Sequence, residues 1–222
     1  MKFDLLTIFP EALDSYFSAS ILARAQAKKI ISIKTHDIRA VTKDKRHTVD
    51  DKPYGGGPGM VIQIEPVYKT LKKVVPKKTK GTRIILLTPR GKTLDQNQVK
   101  RLAKYRRLVL IAGHYEAIDA RIDKFVDEKI SLGNFVMTGG ELAAACLIDA
   151  VARMVPGVVG KEASVQDESF SEYNKKTKEF NIEYPQYTRP PEFRGLKVPK
   201  ILFSGHHQKI KEWRDKQSKH RS

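Results

Sequence analysis

The chain has 222 residues, room for one good-sized domain or for one domain and a small appendage. Hydrophobic residues make up 40% of it, enough for a packed core, and no run approaches the ~18 apolar residues of a membrane-spanning helix. Lys and Arg number 42 against 25 Asp and Glu, a net charge of +17, which points to a nucleic-acid partner. A generally basic proteome is the blander account. The single cysteine excludes an internal disulfide and a cysteine zinc cluster, and it fits a reducing cytoplasm. That residue, Cys146, lies in the apolar run LAAACLI and is expected in the core. Asp4 and Pro10 break the start MKFDLLTIFPEALD, so no signal peptide is expected.

In chain order, KFDLLTIF reads as a strand and ALDSYFSASILARAQAKK as helix-like. IISIKTHDI is a second strand, and VTKDKRHTVDDKPYGGGPGM is a long polar loop. IEPVYKTLKKVV reads as a helix, followed by an exposed basic turn at Lys77, Lys78 and Lys80. GTRIILLTP is a buried strand that Pro89 is expected to end. LDQNQVKRLAKY is a helix, RLVLIAG a strand, AIDARIDKFV a short helix, EKISLGNFVMT the last strand and GELAAACLIDAVARMV a strong helix. After Pro156 the chain turns polar and loses periodicity until a helix over HHQKIKEWRDKQ. Strands alternating with helices predict an α/β domain with a mainly parallel sheet.

Open parallel sheets bind ligands beyond the carboxyl ends of their strands. Two apolar strands, 83–88 and 108–112, end in the turns TPRG and AGHYE, and SLGNFVMTGGE (131–141) is a third such end. Glycine interrupts this last stretch at Gly133, Gly139 and Gly140. Glycine is tolerated there where the backbone bends sharply or something approaches it closely. Thr138 to Glu141 also reads as a capping box, which explains neither Gly133 nor the second glycine of the pair.

Glu116 is the one carboxylate right at a strand end, placed to accept from a ribose hydroxyl pair or simply to face a helix dipole. Asp119 and Asp123 fit the dipole role better. His114 is a minor general-base candidate. YGGGPGM (54–60) matches neither a P-loop nor GxGxxG, and by itself reads as a flexible loop. Its approach carries Lys43, Lys45, Arg46 and His47, which could meet phosphates, and Asp50 and Asp51, which could cap a turn or orient a bound base. Arg153 is either a cation on a helix C-terminus or a cation at a pocket edge. QDESF (166–170) reads as a solvated polar run.

Taken in order, VDDKPYGGGPGM, LLTPRGKTL, AGHYEAIDARI, SLGNFVMTGGELAA, DAVARMVPGVVG, YPQYTRP and LFSGHHQKIKEWRDKQS resemble the bacterial tRNA (guanine-N1)-methyltransferases of the TrmD type, from the N-terminus to about residue 220. The resemblance implies a SPOUT fold, an α/β domain whose chain closes a trefoil knot near its C-terminal end (1–160), then a linker (161–181) and a small, mostly helical tRNA-binding domain (182–222). It implies a homodimer with active sites at the interface, and S-adenosyl-L-methionine as methyl donor. Leu86, Leu87, Thr88 and Pro89 would form one wall of the donor site. Gly113, Tyr115 and Glu116 would form another. Ser131, Leu132, Gly133, Phe135, Met137, Gly139 and Gly140 would form the third. Asp50, Tyr54, Gly55, Gly59, Arg189, Ser204 and Arg214 are assigned to the tRNA side. Lys175, Lys176, Lys209, Lys216, Lys219 and Arg221 are further candidates to follow phosphates.

Guanine N1 carries a proton, so its methylation needs a base to remove that proton and a cation or donor for the charge building on O6. The family places an aspartate base before Ser-Phe, where this chain has Glu168; Asp167 beside it is the alternative. The supporting cation corresponds to Arg153. Mg²⁺ is an optional helper by family analogy, although no metal-ligand pattern is visible. NKKTKEFNIE lengthens the linker relative to the family, and the end at KQSKHRS implies either a shortened tRNA-gripping domain or a truncated chain. Two other functions fit less of the sequence: another SPOUT RNA methyltransferase, and a non-catalytic basic RNA-binding protein.

Overall fold

The structure is a computed structural model that describes residues 1–160, 168–171, 173–174 and 179–221. By its contacts the chain divides into two compact units, Met1–Gly160 and Lys161–Ser222.

The first unit is built on a five-stranded sheet. Its strands are β1 (Lys2–Thr7), β2 (Ser32–Asp37), β5 (Thr82–Thr93), β6 (Arg107–Ala112) and β8 (Glu128–Ser131), in the order β2-β1-β6-β5-β8 with every neighbouring pair parallel. Parallel strands need covering on both faces, which is why these segments read as continuous apolar runs. Alternate residues divide between two cores. Phe3, Leu5, Ile85, Leu87, Leu108 and Leu110 face α1 (Asp14–Phe17), α2 (Ser20–Ala27), α4 (Gln96–Leu102) and α5 (Glu141–Ala152). Leu6, Ile84, Leu86, Val109 and Ile111 face α3 (Ile64–Val74). A small second sheet pairs β3 (Asp50–Asp51) with β4 (Val61–Ile62), and β4 with β7 (Ala117–Ile118).

Several expectations need correction. The helix-like stretch after Pro10 is two helices, separated at Ser18 and Ala19. Pro89 does not end its strand. The chain bulges after Leu87 and returns, so that Leu87 and Lys92 both pair with Ile130. Proline is tolerated in that bulge because its missing N–H is not required by the ladder. The short helix expected at 117–126 is β7 followed by a single-turn 3₁₀ helix, Ala120–Lys124. The last strand stops at Ser131, well before Thr138. The capping box is not formed: α5 has Gly140 at its N-cap without a side-chain cap, because the Glu141 carboxylate bonds elsewhere. Cys146 is exposed, on a face of α5 that also shows Leu142 to solvent.

In the second unit, β10 (Glu179–Ile182) pairs antiparallel with β9 (Tyr173–Asn174) and β13 (Lys219–Arg221). A hairpin joins β11 (Glu192–Phe193) to β12 (Leu196–Lys197). A 3₁₀ turn, Lys200–Phe203, precedes α6 (His207–Gln217). Residues 182–222 therefore hold strands beside their helix, where the sequence suggested mostly helix.

Candidate active site

The bulge of β5 lies beside the loops that leave the carboxyl ends of its sheet neighbours β6 and β8. Between them lies a cavity with about 820 Å³ of empty space, its open mouth included. Leu86, Leu87, Thr88 and Pro89 line it from the β5 end; Gly113, Tyr115 and Glu116 line it from the β6 end. Ser131, Leu132, Gly133, Phe135, Met137, Gly139 and Gly140 complete it from the stretch after β8. Sequence reasoning missed Arg90, Val136 and Thr138 on the same lining and gave His114 only a minor role.

The glycines have separate jobs. A Cβ on Gly91 would lie 2.4 Å from the Ile130 backbone nitrogen, so only glycine lets the returning β5 pass so close to β8. A Cβ on Gly140 would lie 2.9 Å from Ala112 Cα. Without one, the Gly140 amide donates to the Gly113 carbonyl at 2.7 Å and brings the start of α5 against the end of β6. Ser131 folds back on its own loop: its hydroxyl donates to the Gly133 carbonyl at 3.0 Å and accepts from the Gly133 amide at 3.2 Å. Gly113, Gly133, Gly139 and Gly140 keep parts of the cavity wall thin. Its floor is apolar (Leu86, Leu87, Ile130), and Glu116 supplies an exposed carboxylate at the rim. That combination suits a ligand with a flat heterocycle and polar, partly cationic appendages.

The YGGGPGM loop borders this site. The Glu116 amide donates to the Met60 carbonyl at 3.1 Å, and a Cβ on Gly59 would lie 2.4 Å from Glu116 Oε1. Gly55 and Gly59 take positive φ, Tyr54 beside them is fully exposed, and Asp50 pairs with Ile62 in the small sheet. Asp119 caps the 3₁₀ turn after β7, and the Arg121 guanidinium bonded to it holds its carboxyl below the usual range.

Arg153 is the C-cap of α5 and is exposed. Asp167, Lys175 and Lys176 lie outside the described residues. Glu168, in the second unit, has its backbone carbonyl bonded by the Ser171 amide at 3.0 Å and by Asn181 Nδ2 at 3.3 Å. Also in that unit, Arg189 is exposed and the Arg214 guanidinium stacks 4.8 Å over the Tyr184 ring. Ser204 caps the 3₁₀ turn by donating to the Ile201 carbonyl at 2.8 Å. Among the described residues no group of three or more His, Cys, Asp or Glu side chains gathers to hold a metal ion, and no helix is long and apolar enough to cross a membrane.

Comparison with known proteins agrees with this geometry. The family model described as tRNA (guanine-1)-methyltransferase TrmD matches residues 1–222. A tRNA (guanine-N(1)-)-methyltransferase of Carboxydothermus hydrogenoformans is 49% identical over 98% of this chain and 83% of its own length. One of Clostridium perfringens strain 13 is 50% identical over 98% of this chain and 88% of its own length. One of Clostridium acetobutylicum is 46% identical over 98% and 86%. With the family model spanning its whole length and relatives near half identity over almost all of it, the chain belongs to the tRNA (guanine-1)-methyltransferase family.

Proposed function

We propose that the chain transfers the methyl group of S-adenosylmethionine to N1 of the guanine at position 37 of tRNA, 3′ to the anticodon. Membership of the family makes it a tRNA guanine-N1 methyltransferase; the donor and the position are the finer reading. The observation that carries it is the cavity between the β5 bulge and the carboxyl ends of β6 and β8, with Gly113, Gly133, Gly139 and Gly140 in its lining. Its apolar floor suits an adenine ring, and Glu116 suits a ribose or an ammonium group. The bound sulfonium supplies an already activated methyl group.

The rest falls to side chains. Glu168 removes the N1 proton, with Asp167 as the alternative base, and Arg153 stabilises the charge building on O6. The cavity holds the methyl carbon in line with N1. A base in an anticodon loop is cheaper to extrude than a paired one, and the net charge of +17 favours a polyanion. The exposed Arg189, Lys209, Arg214 and Lys216 are suited to follow its phosphates, while Asp50, Tyr54, Gly55, Gly59 and Ser204 belong to the tRNA side of the reading.

The proposal includes a trefoil knot, supported by membership of the family. It also includes a homodimer, supported by the apolar side chains that the first unit leaves in solvent, Leu142 at 62% and Val136 at 87% exposure. Mg²⁺ is an optional addition with no preformed carboxylate cluster behind it among the described residues.

The test is transfer of labelled methyl from S-adenosylmethionine to a tRNA transcript bearing guanine at position 37, beside one bearing adenine. Label in the first only, lost in Arg153→Ala and much reduced in Glu168→Gln, is expected. A fully active Glu168→Gln with a dead Asp167→Asn would move the base to Asp167. Label in neither transcript, with donor binding intact, would mean a different RNA target.

A further inference from the structure

Behind the cavity wall lies a polar group that the proposed reaction does not use. Glu141 begins α5, the most apolar helix of the chain, yet its carboxylate is buried. A buried carboxylate must find hydrogen-bond donors. One is Thr7, at the end of β1, whose hydroxyl donates to Glu141 Oε1 at 2.6 Å while accepting from the Phe9 amide at 3.0 Å. The other oxygen, Oε2, lies 3.7 Å from Nδ1 of His114, just beyond hydrogen-bond range. That Nδ1 is buried and has no hydrogen-bond partner, although its ring is held edge-on between Phe9 and Tyr115. Gly139 makes the approach possible, because a Cβ there would lie 2.3 Å from Glu141 Oε2 and 2.5 Å from His114 Nδ1. His114 and Gly139 also bridge through their backbones.

We infer that Glu141 is a positioning residue for the donor site. When the cavity fills, His114 Nδ1–H closes onto Glu141 Oε2, locking the loop after β6 to the turn before α5. Those are two of the three cavity walls, and both His114 and Gly139 line the cavity. An ionised carboxylate can only accept, so it also fixes the tautomer of His114: hydrogen on Nδ1, lone pair on Nε2. Gly139 is then glycine to leave room for this contact, as Gly140 is glycine to let α5 approach β6. The inference rests on the donor reading of the cavity.

Glu141→Gln keeps the shape and reverses the hydrogen-bond demand. The glutamine oxygen can accept from Thr7 while its amide nitrogen donates to His114 Nδ1, driving the ring to the other tautomer. The experiment uses the full chain with Glu141→Gln, His114→Ala, His114→Asn and the Glu141→Gln/His114→Ala double variant. Binding of S-adenosylmethionine is measured by calorimetry, and the histidine tautomer by ¹⁵N spectra, with the His114 signal assigned by its loss in the variants. Expected are an Nδ1-protonated His114 in the unsubstituted chain with donor bound and an Nε2-protonated one in Glu141→Gln. Donor Kd should rise roughly tenfold in His114→Ala, the worth of one charge-assisted hydrogen bond, and about threefold in Glu141→Gln, where a neutral bond replaces it. The double variant should be no weaker than His114→Ala alone. His114→Asn, whose amide can donate to Oε2, should recover most of the loss. Unchanged donor affinity in Glu141→Gln, an Nε2-protonated ring in the unsubstituted chain, or additive losses would overturn the inference and leave the donor site standing. Absence of donor binding by the unsubstituted chain would overturn both.

Discussion

Gly91→Ala is the sharpest probe of how the cavity is built. The added Cβ would lie 2.4 to 2.6 Å from the N, C and Cα atoms of Ile130, all backbone atoms that cannot swing aside. Ordinary contact begins near 3.4 Å, so the end of β5 must move by about 1 Å (3.4 − 2.4) from β8. The Leu94 amide donates to the Ser131 carbonyl at 2.8 Å, next to the Lys92–Ile130 and Thr93–Ser131 pairs. A displacement of roughly 1 Å takes such bonds out of range. Losing two of them at about 1 kcal/mol each, with about 1–3 kcal/mol for overpacking, predicts a destabilisation of about 3–5 kcal/mol. That is a large share of the ~5–15 kcal/mol typical of a domain, yet small enough to measure. The assay is urea unfolding, read as a fall in midpoint at constant slope. Gly81→Ala is the control: its Cβ would meet only the Arg106 side chain, at 3.5 Å, and should change stability by less than ~0.5 kcal/mol. A Gly91→Ala loss below ~1 kcal/mol would refute the reasoning, since it would mean that β5 does not pass so tightly over Ile130.

Asp4 is buried on β1 and accepts from His36 Nε2 and Arg107 Nε, each at 2.7 Å. Burial alone would raise its pKa, but those two bonds outweigh burial and lower it. Its stabilising contribution is therefore complete above the unfolded carboxyl value of about 4 and disappears as pH falls through the lower folded value. Asp4→Asn should cost about 2 kcal/mol at pH 7, less than a fully buried pair because His36 and Arg107 are each 28% exposed, and the gap from the unsubstituted chain should narrow by pH 3 in paired urea titrations. Leu142→Asp should leave the stability of an isolated chain within ~0.5 kcal/mol, yet sedimentation should show it monomeric if α5 packs against a second copy. A Leu142→Asp chain that sediments like the unsubstituted one would exclude this face as the dimer contact. If Glu168 is the base, Glu168→Asp should lower single-turnover methyl transfer roughly tenfold, since it shortens the side chain by one methylene while the turn's hydrogen bonds hold the backbone. Equal or faster transfer would show that side-chain reach is not limiting.

The parallel sheet was legible because 83–88 and 108–112 are unbroken apolar runs, the mark of strands covered on both faces. The three strand ends followed from it. Three misjudged features depend on contacts distant in sequence. Pro89 looks terminal because a proline cannot continue a ladder, and nothing local reveals that the chain returns to pair with Ile130 a second time. Thr138 and Glu141 have capping-box spacing, but the carboxylate is taken by Thr7, 134 residues earlier. A threonine ending an apolar strand and a carboxylate opening an apolar helix were the available clues, and only folding joins them. Cys146 was misplaced because α5 is apolar over most of its surface, and Asp149, one turn on from Cys146, is a single mark rather than a polar stripe for the face left in solvent. As for the site, composition and spacing yield the loops, while the individual donor-side and catalytic positions come from the family resemblance.

The distribution of charge between the two units bears on how the reaction is organised. The cavity is lined mainly by apolar atoms, and the carboxylate among its lining residues, Glu116, is exposed. Such a site binds through fixed geometry, which suits a donor that brings its own positive charge and needs alignment more than activation. The groups proposed to handle proton and charge are Arg153, at the opposite end of α5 from Gly140, and Glu168, in the second unit. Glu168 is not on a bare tether, however. The Phe170 amide donates to the Asn181 carbonyl at 2.7 Å, while Asn181 Nδ2 reaches both the Glu168 carbonyl and the Ser171 hydroxyl. The turn that carries the proposed base is therefore shaped within its own unit, so on that proposal tRNA binding has to place a formed turn rather than fold a loop. That lowers the ordering entropy charged to tRNA binding, because only the placement, and not the local conformation, remains to be fixed.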